Sequence, residues 1–371
     1  MNHNLIEVVM NENLKGIQDK IKTESLIYKK GLVIAGPCSA ENEEQLLRTA
    51  IELSHTKKVD VLRAGIWKPR TNPGNFEGVG TKALPWLLKA KNITGLPTAV
   101  EVATTKHVED AVNFEVDILW IGARTTVNPF SVQQIADALK GTEQIILIKN
   151  PVNPDIKLWI GAIERLQKSG IKNIGLIHRG FTSYGNTEYR NVPMWQIPIE
   201  MKRLFPDIPL ICDPSHICGN QIGLLSVSQK SVDLDYDGLM IESHYNPELA
   251  LTDKQQQIKP DDLKLLLDAI IYKRNTSFES DFLSKIDYLR EQINHLDEEL
   301  ISLISNRMDV AKQIGEIKKH SQVTVLQTSR YNEVLERAII KGEKVGLSNE
   351  FIKSLLDAIH IESIRIQNTL N

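Results

Sequence analysis

Cysteine is scarce in this 371-residue chain: Cys38, Cys212 and Cys218 are the whole supply. Three thiols are too few for a disulfide scaffold, which points to a reducing, cytoplasmic setting. Surplus positive charge is missing as well. The net charge of −3 argues against a nucleic-acid-binding protein, so any cations that matter must be locally concentrated. No apolar run approaches the roughly 18 residues of a membrane span. Residues 1–30 are polar and lack the apolar core of a signal peptide. No Gly-x-Gly-x-x-Gly follows any apolar run, which counts against the runner-up fold, a doubly wound open sheet. What remains is an ordinary globular composition, 42% apolar and 25% charged, in a chain long enough for two domains.

From about residue 31 to 272, short apolar runs alternate with longer amphipathic stretches. The runs are Leu32–Ala35, Val59–Leu62, Pro97–Val102, Ile118–Gly122, Gln144–Ile148, Ile174–Ile177, Leu210–Cys212 and Gly238–Ile241. They are rich in Val, Ile and Leu without strict alternation, as buried parallel strands are. Helical patterns such as Glu43–Leu53 and Leu158–Lys168 lie between them. Eight strand–helix repeats in this length predict an α/β fold, a (β/α)8 TIM barrel, over residues 1–272. Residues 273–281 are polar and read as a linker.

Polar groups follow every apolar run. The second is followed by Arg63, Lys68, Arg70 and Thr71, where Pro69 and Asn72-Pro73-Gly74 forbid regular structure and place cations on a loop. Arg124 follows the fourth, Lys149 the fifth and Arg179 the sixth. Guanidinium and ammonium groups at the active ends of barrel strands suit phosphate and carboxylate ligands. A second set, Cys38, His216, Glu242 and Asp253, mixes thiolate, imidazole and carboxylate in the manner of a catalytic divalent transition-metal site. Read singly, Cys38 is equally a small buried hydrophobe, His216 a helix cap, and Glu242 and Asp253 solvated loop residues.

The motifs Gly-Pro-Cys-Ser (36–39), Lys-Pro-Arg-Thr (68–71), Gly-Ala-Arg-Thr (122–125), Asp-Pro-Ser-His (213–216) and Ile-Glu-Ser-His…Leu-Thr-Asp (241–253) together resemble the 3-deoxy-D-arabino-heptulosonate 7-phosphate (DAHP) synthase family, in its short-core type I beta subclass. The intact Lys-Pro-Arg-Thr speaks against the related octulosonate and sialic acid synthases. The resemblance implies condensation of phosphoenolpyruvate with erythrose 4-phosphate and water, releasing phosphate. It implies that Cys38, His216, Glu242 and Asp253 hold one divalent ion, manganese first, with iron, cobalt and zinc as alternatives. Arg63, Lys68, Arg124, Lys149 and Arg179, with the backbone of Gly122 and Ala123, would clamp phosphoenolpyruvate. Arg70 and Thr71 would hold the aldose phosphate, and Lys68 is a candidate proton donor. Only about 30 residues precede the first run, too few for a ligand-binding domain at that end, so regulation is expected from elsewhere.

Beyond residue 281 the periodicity changes. Phe282, Ile286, Leu289, Ile293, Leu296, Leu300 and Leu303 are spaced by alternating fours and threes, and the seam continues through Arg307, Val310, Ile314 and Ile317. This predicts one long helix, then shorter ones over Ser329–Lys341 and from Ser348 to about Gln367. A helix that long cannot bury its seam against two short partners, so a dimer is expected, with higher assembly left open. Arg307 stands where a hydrophobe belongs, and Arg290 and Lys318 flank the seam; a charge there needs an anion or an inter-helix salt bridge.

Tyr-Leu-Arg-Glu-Gln-Ile…Leu-Asp-Glu-Glu-Leu (288–300) and the register of Arg290, Arg307, Lys318, Arg330, Ser363 and Gln367 resemble the all-helical chorismate mutase family. That likeness makes residues 282–371 a cofactor-free isomerase taking chorismate to prephenate. The arginines would hold two carboxylates, and Lys318 with Gln367 would contact the ether oxygen. Gln327 and Tyr331 replace acids that contact the substrate hydroxyl, and Gln327 is the candidate substitute. The alternative is a weak or inactive mutase-like module for dimerisation and ligand sensing; prephenate formation by the segment 276–371 separates the two. Covalent fusion also predicts feedback on the synthase by prephenate.

Overall fold

The structure, a computed structural model, describes residues 25–69, 74–184, 187–273, 280–324 and 326–369. It divides into two compact units, Met1–Asn275 and Thr276–Asn371. The expected linker falls largely on residues 274–279, outside the described residues.

In the first unit eight parallel strands close into a barrel in sequence order: β1 (Leu32–Gly36), β2 (Val61–Arg63), β3 (Thr98–Val102), β4 (Ile118–Ile121), β5 (Ile145–Lys149), β6 (Ile174–His178), β7 (Leu210–Cys212) and β8 (Gly238–Glu242). β8 pairs with β1, from Leu32↔Gly238 to Gly36↔Glu242. Helices separate the strands: α1 (Glu43–His55), α2 (Leu84–Thr94), α3 (Thr105–Asn113), α4 (Ala123–Thr126), α5 (Pro129–Ala138), α6 (Ile156–Lys168), α7 (Gln196–Leu204), α8 (Pro214–Cys218) and α9 (Leu224–Asp233), with α10 (Pro260–Ala269) after β8. Their starts follow local chemistry. Asn42, Thr104, Asn128, Asp155 and Asp213 each accept a backbone N–H of the first turn, satisfying donors that a helix start leaves open. The second strand begins two residues later than its apolar run and ends on Arg63, so that cation is anchored by the sheet rather than by the loop after it.

Alternation along each strand sorts the core into two clusters. Leu32, Ile34, Val61, Ala99, Ile118, Trp120, Ile145, Leu147, Ile177, Ile211 and Met240 fill the barrel lumen, plugged at one end by Ile27. Gly175 makes room for that plug: a Cβ there would lie 2.8 Å from Ile27 Cδ1. Val33, Leu62, Val100, Leu119, Ile146, Leu176 and Leu239 face the helices instead. At the strand starts, carboxylates reach sideways to the neighbouring strand. Asp60 accepts from Val33 N (2.9 Å), Asp117 from Thr98 N (2.8 Å) and Asp237 from Leu210 N (2.9 Å). These bonds fasten the end of the barrel away from the polar loops.

The second unit is three helices, α11 (Ser280–His320), α12 (Thr328–Lys344) and α13 (Asn349–Asn368). At 41 residues α11 is about 61 Å long. α13 packs against both others, burying Met308, Ala311, Ile352, Ser363 and Gln367. Much of the α11 seam stays uncovered within one chain: Leu289, Ile293, Leu296, Leu300, Leu303 and Ile317 are all about half exposed or more. Among the described residues, no helix is long and apolar enough to cross a membrane.

Candidate active site

The alternation that turns Val61, Ala99, Leu147, Ile211 and Met240 inward runs one step further, to Arg63, Glu101, Lys149, Asp213 and Glu242. These polar side chains close the lumen on the floor that Trp120 makes. The Arg63 guanidinium lies over the Trp120 ring at 4.8 Å and Lys149 Nζ at 5.8 Å, a favourable placement for cations shielded from water. Trp120 Nε1 donates to Glu101 Oε2 at 3.0 Å. Gly122 is required beside it, because a Cβ there would fall 2.0 Å from Glu101 Oε1.

Four donors gather at this mouth. Cys38 Sγ is 3.2 Å from Asp253 Oδ2, and His216 Nε2 is 3.8 Å from Glu242 Oε1. Lys68 Nζ contacts Cys38 Sγ, donates to Cys38 O at 3.1 Å and lies 3.9 Å from Asp253 Oδ2. Among the described residues no group of three or more His, Cys, Asp and Glu side chains forms a closed metal cluster. The four expected ligands meet as two pairs instead, with the Lys68 ammonium against the thiol of one pair.

Their chemistry nonetheless fits a divalent ion. Glu242 Oε1 is wholly buried without a hydrogen bond; Arg63 Nη1 approaches to 3.3 Å, poorly aligned for one. Glu242 Oε2 accepts from Gln256 Nε2 at 2.6 Å, and its N–H donates to Ser215 Oγ. A buried carboxylate oxygen left open beside an imidazole is a poor resting arrangement without a cation. Burial pushes the His216 imidazole down, keeping it neutral. Its Nδ1 faces Asp213 Oδ2 at 2.8 Å, which leaves Nε2 for the pocket. Burial, then the Glu242 charge, pushes the Cys38 thiol up to about 12; a bound cation reverses that. Partial burial opposes the charge of Asp253, but Lys68 and Arg190 hold it well below the ordinary carboxylate range. Its backbone sits in the left-handed region, φ 46°.

The anion-binding wall is adjacent. Asp213 Oδ2 accepts from Lys149 Nζ at 2.7 Å, both groups buried, while Oδ1 caps α8 through His216 N. Arg179 Nη1 donates to Asn191 Oδ1 at 2.6 Å, and its backbone is held by Asn150. Arg124 lies exposed in α4, whose N-cap is Gly122. Arg70 and Thr71 lie outside the described residues. Sequence reading missed Gln256, Gln257, Arg190 and Asn191, and gave Asp213 no role. Gln257 holds Cys38 N at 2.9 Å. These partners sit on loops far apart in the chain, and no local spacing marks them.

In the helical unit, Arg307 Nη1 donates to Ser363 Oγ at 2.7 Å, linking α11 to α13. Gln367 is buried with Oε1 unpartnered. It packs on Gly315, where a Cβ would lie 2.9 Å from Gln367 Cγ. Lys318 is half-buried near the end of α11. Arg330 pairs with Glu333, and Gln327 is the exposed N-cap residue of α12. Tyr331 donates to Asp357 and stacks on His360 at 4.2 Å. Arg290 bonds Asp287; it lies about 25 Å along the axis from Arg307, so one chain does not bring it to the others.

Comparison with known proteins identifies the family. The profile of the DAHP synthetase I family matches residues 27–277, and that of chorismate mutase type II matches residues 289–368. Phospho-2-dehydro-3-deoxyheptonate aldolase of Thermotoga maritima is 30% identical over 250 residues, 66% of this chain and 72% of that protein. A 2-dehydro-3-deoxyphosphooctonate aldolase of Geobacter sp. strain M21 is 30% identical over 259 residues, 63% of this chain and 89% of that one. The crystal structure of the Thermotoga maritima DAHP synthase superposes with a TM-score of 0.57 at 28% identity, covering 64% of this chain and 67% of that one. Membership of the synthase family carries a general dependence on a metal ion. The chain therefore belongs to the DAHP synthetase I family, as a fusion of that enzyme with a C-terminal chorismate mutase type II domain.

Proposed function

We propose that the barrel condenses phosphoenolpyruvate with erythrose 4-phosphate and water to DAHP and phosphate, at a divalent ion held by Cys38, His216, Glu242 and Asp253. The observation that carries this reading is the buried, open Oε1 of Glu242 beside His216, on a floor lined by Arg63 and Lys149. This mixed set of thiolate, imidazole and carboxylates accepts manganese, iron, cobalt or zinc, and manganese is the first choice in this reading. When bound, the ion supplies Lewis-acid polarisation of the aldehyde oxygen. The chain's own work is electrostatic. Two phosphate esters repel one another, and Arg63, Lys149, Arg179 and Arg124 with the Gly122–Ala123 backbone offset the charge of the enolpyruvate. Arg70 and Thr71 take the aldose phosphate in this reading, which keeps the two anions on separate cations while their carbons meet. Lys68, beside Cys38 and Asp253, is the candidate donor of the proton that the new alkoxide takes up.

The helical unit rearranges chorismate to prephenate without a cofactor. Arg307, tied to Ser363, binds a carboxylate, and Lys318 with the open Gln367 amide stabilises charge on the ether oxygen. Arg330 lies at the start of α12 for the second carboxylate, and Gln327 serves the hydroxyl. The uncovered apolar seam of α11 supports a homodimer, with Arg290 supplied across it. Prephenate, as product of one unit, acts as feedback inhibitor of the other, and the protein works in the cytoplasm. The test is to strip the protein with chelator and add back single metals. Condensation should vanish and return with Mn²⁺ while mutase turnover stays constant. No DAHP with any divalent ion sinks the synthase reading. Synthase kinetics untouched by saturating prephenate sink the feedback.

A further inference from the structure

Two adjacent residues on the loop after β6, Arg190 and Asn191, touch both halves of the barrel site. Arg190 Nη1 donates to Asp253 Oδ1 at 2.9 Å and to Gln256 Oε1 at 2.7 Å. Gln256 in turn donates to Glu242 Oε2 at 2.6 Å. One guanidinium thus fixes one carboxylate donor directly and a second through a single amide. Its stem needs Gly219, at φ 71°, the C-cap of α8: a Cβ there would lie 2.5 Å from Arg190 Cβ. Asn191 faces the other way. Its Oδ1 accepts from Arg179 at 2.6 Å, its Nδ2 donates to His216 O at 2.6 Å, and its N–H donates to Ile217 O at 3.1 Å. Asn191 is buried, so each of these bonds is costly to leave unmade.

We infer that Arg190 and Asn191 are positioning residues that couple the metal donors Asp253, Glu242 and His216 to the anion-binding Arg179, so that metal and phosphoenolpyruvate each tighten the binding of the other. The inference rests on the proposed metal-dependent reading of the barrel. The physical reason is rigidity shared through one backbone segment. An anion that draws Arg179 into place pulls Asn191, and with it the carbonyl of His216. A cation that draws Asp253 and Glu242 together orders Arg190, the next residue in the chain. Linkage then requires equal factors in both directions.

The experiment uses the full chain, stripped of metal. Mn²⁺ binding is titrated by electron paramagnetic resonance with and without phosphoenolpyruvate, and phosphoenolpyruvate binding by calorimetry with and without Mn²⁺. In the parent protein each ligand should improve the other's affinity by the same factor, at least about 5-fold. Arg190→Met keeps the stem and loses the guanidinium. It should weaken Mn²⁺ by about 10–100-fold and bring the coupling factor towards one, with Arg190→Lys recovering part of both. Asn191→Leu should likewise bring the factor towards one. Thermal melts of each variant show whether the barrel is folded, and calorimetry is run at a temperature where it is. Loss of both affinities with the coupling factor intact would mean a merely structural role and overturns the inference, as do unchanged values in both variants. Absence of Mn²⁺ binding in the parent protein overturns the metal-dependent reading itself, a result the variants alone cannot produce.

Discussion

Lys149 Nζ stands 2.7 Å from Asp213 Oδ2, in a pair with side chains 6% and 0% exposed. Asp213 also faces His216 Nδ1 and caps α8, so one carboxylate serves both the anion wall and the metal side. Burial opposes its charge, yet His216 and Lys149 hold it well below the usual carboxylate range. Asp213→Ala leaves the Lys149 ammonium buried and alone. A loss of about 3–5 kcal/mol is expected in denaturant unfolding of the barrel, with metal affinity down by about 10–100-fold. Unchanged stability would show that Lys149 finds another partner.

Cys38→Ser should separate the two activities. A neutral hydroxyl replaces an anionic thiolate in the donor set, and Mn²⁺ affinity should drop by more than the roughly 100-fold of an outer-shell change. Condensation should fall with it, while chorismate turnover by the same preparation stays at the parent level.

Acid should weaken the barrel through His178. This imidazole is buried between Pro193 O (2.7 Å) and Tyr236 OH (3.0 Å), and burial pushes it down to about 4. The unfolded chain takes up its proton near pH 6.5, whereas the folded barrel does not until about pH 4. Stability is therefore full above pH 6.5 and falls as pH drops from 6.5 towards 4, by up to about 3 kcal/mol for this group. Urea unfolding of parent and His178→Gln across that window isolates the effect: the difference between them should change with pH above 4 and level off below.

Gly315→Ala tests the fit of α11 to α13. Alanine favours the helix by about 1 kcal/mol, but its Cβ would press Gln367 at 2.9 Å. Mutase kcat should fall by roughly 10-fold or more, the displaced amide being one oriented donor, with helicity by circular dichroism unchanged or higher. Arg307→Ala, which also breaks the link to Ser363, should cost about 100-fold or more.

The apolar seam of α11 predicts assembly through it. Leu296 is 60% exposed within one chain, so Leu296→Asp costs a monomer little. Sedimentation should show the parent as a dimer or larger and the variant shifted towards monomer, with mutase activity falling as the dimer dissociates.

The barrel was legible because its strands are buried on both faces, which forces unbroken apolar runs such as Ile145–Ile148 into the sequence. Several runs stop at a charged side chain, which made Arg63, Lys149 and Glu242 easy to pick out. The long helix was legible for a similar reason, its seam repeating over residues 282–317 without a proline. By itself, then, the chain determined the two architectures and which residue types gather at one end of the strands. Tertiary structure decided the rest. Strict inward alternation, hidden by apolar residues on both faces, became visible only once the lumen and outer shell were separated, and it put Glu101 beside Trp120. Arg190 reaches Asp253 across 63 positions and Asn191 reaches His216 across 25. Bonds between separate loops impose no spacing on the residues that make them, so only the closed barrel could bring these partners together.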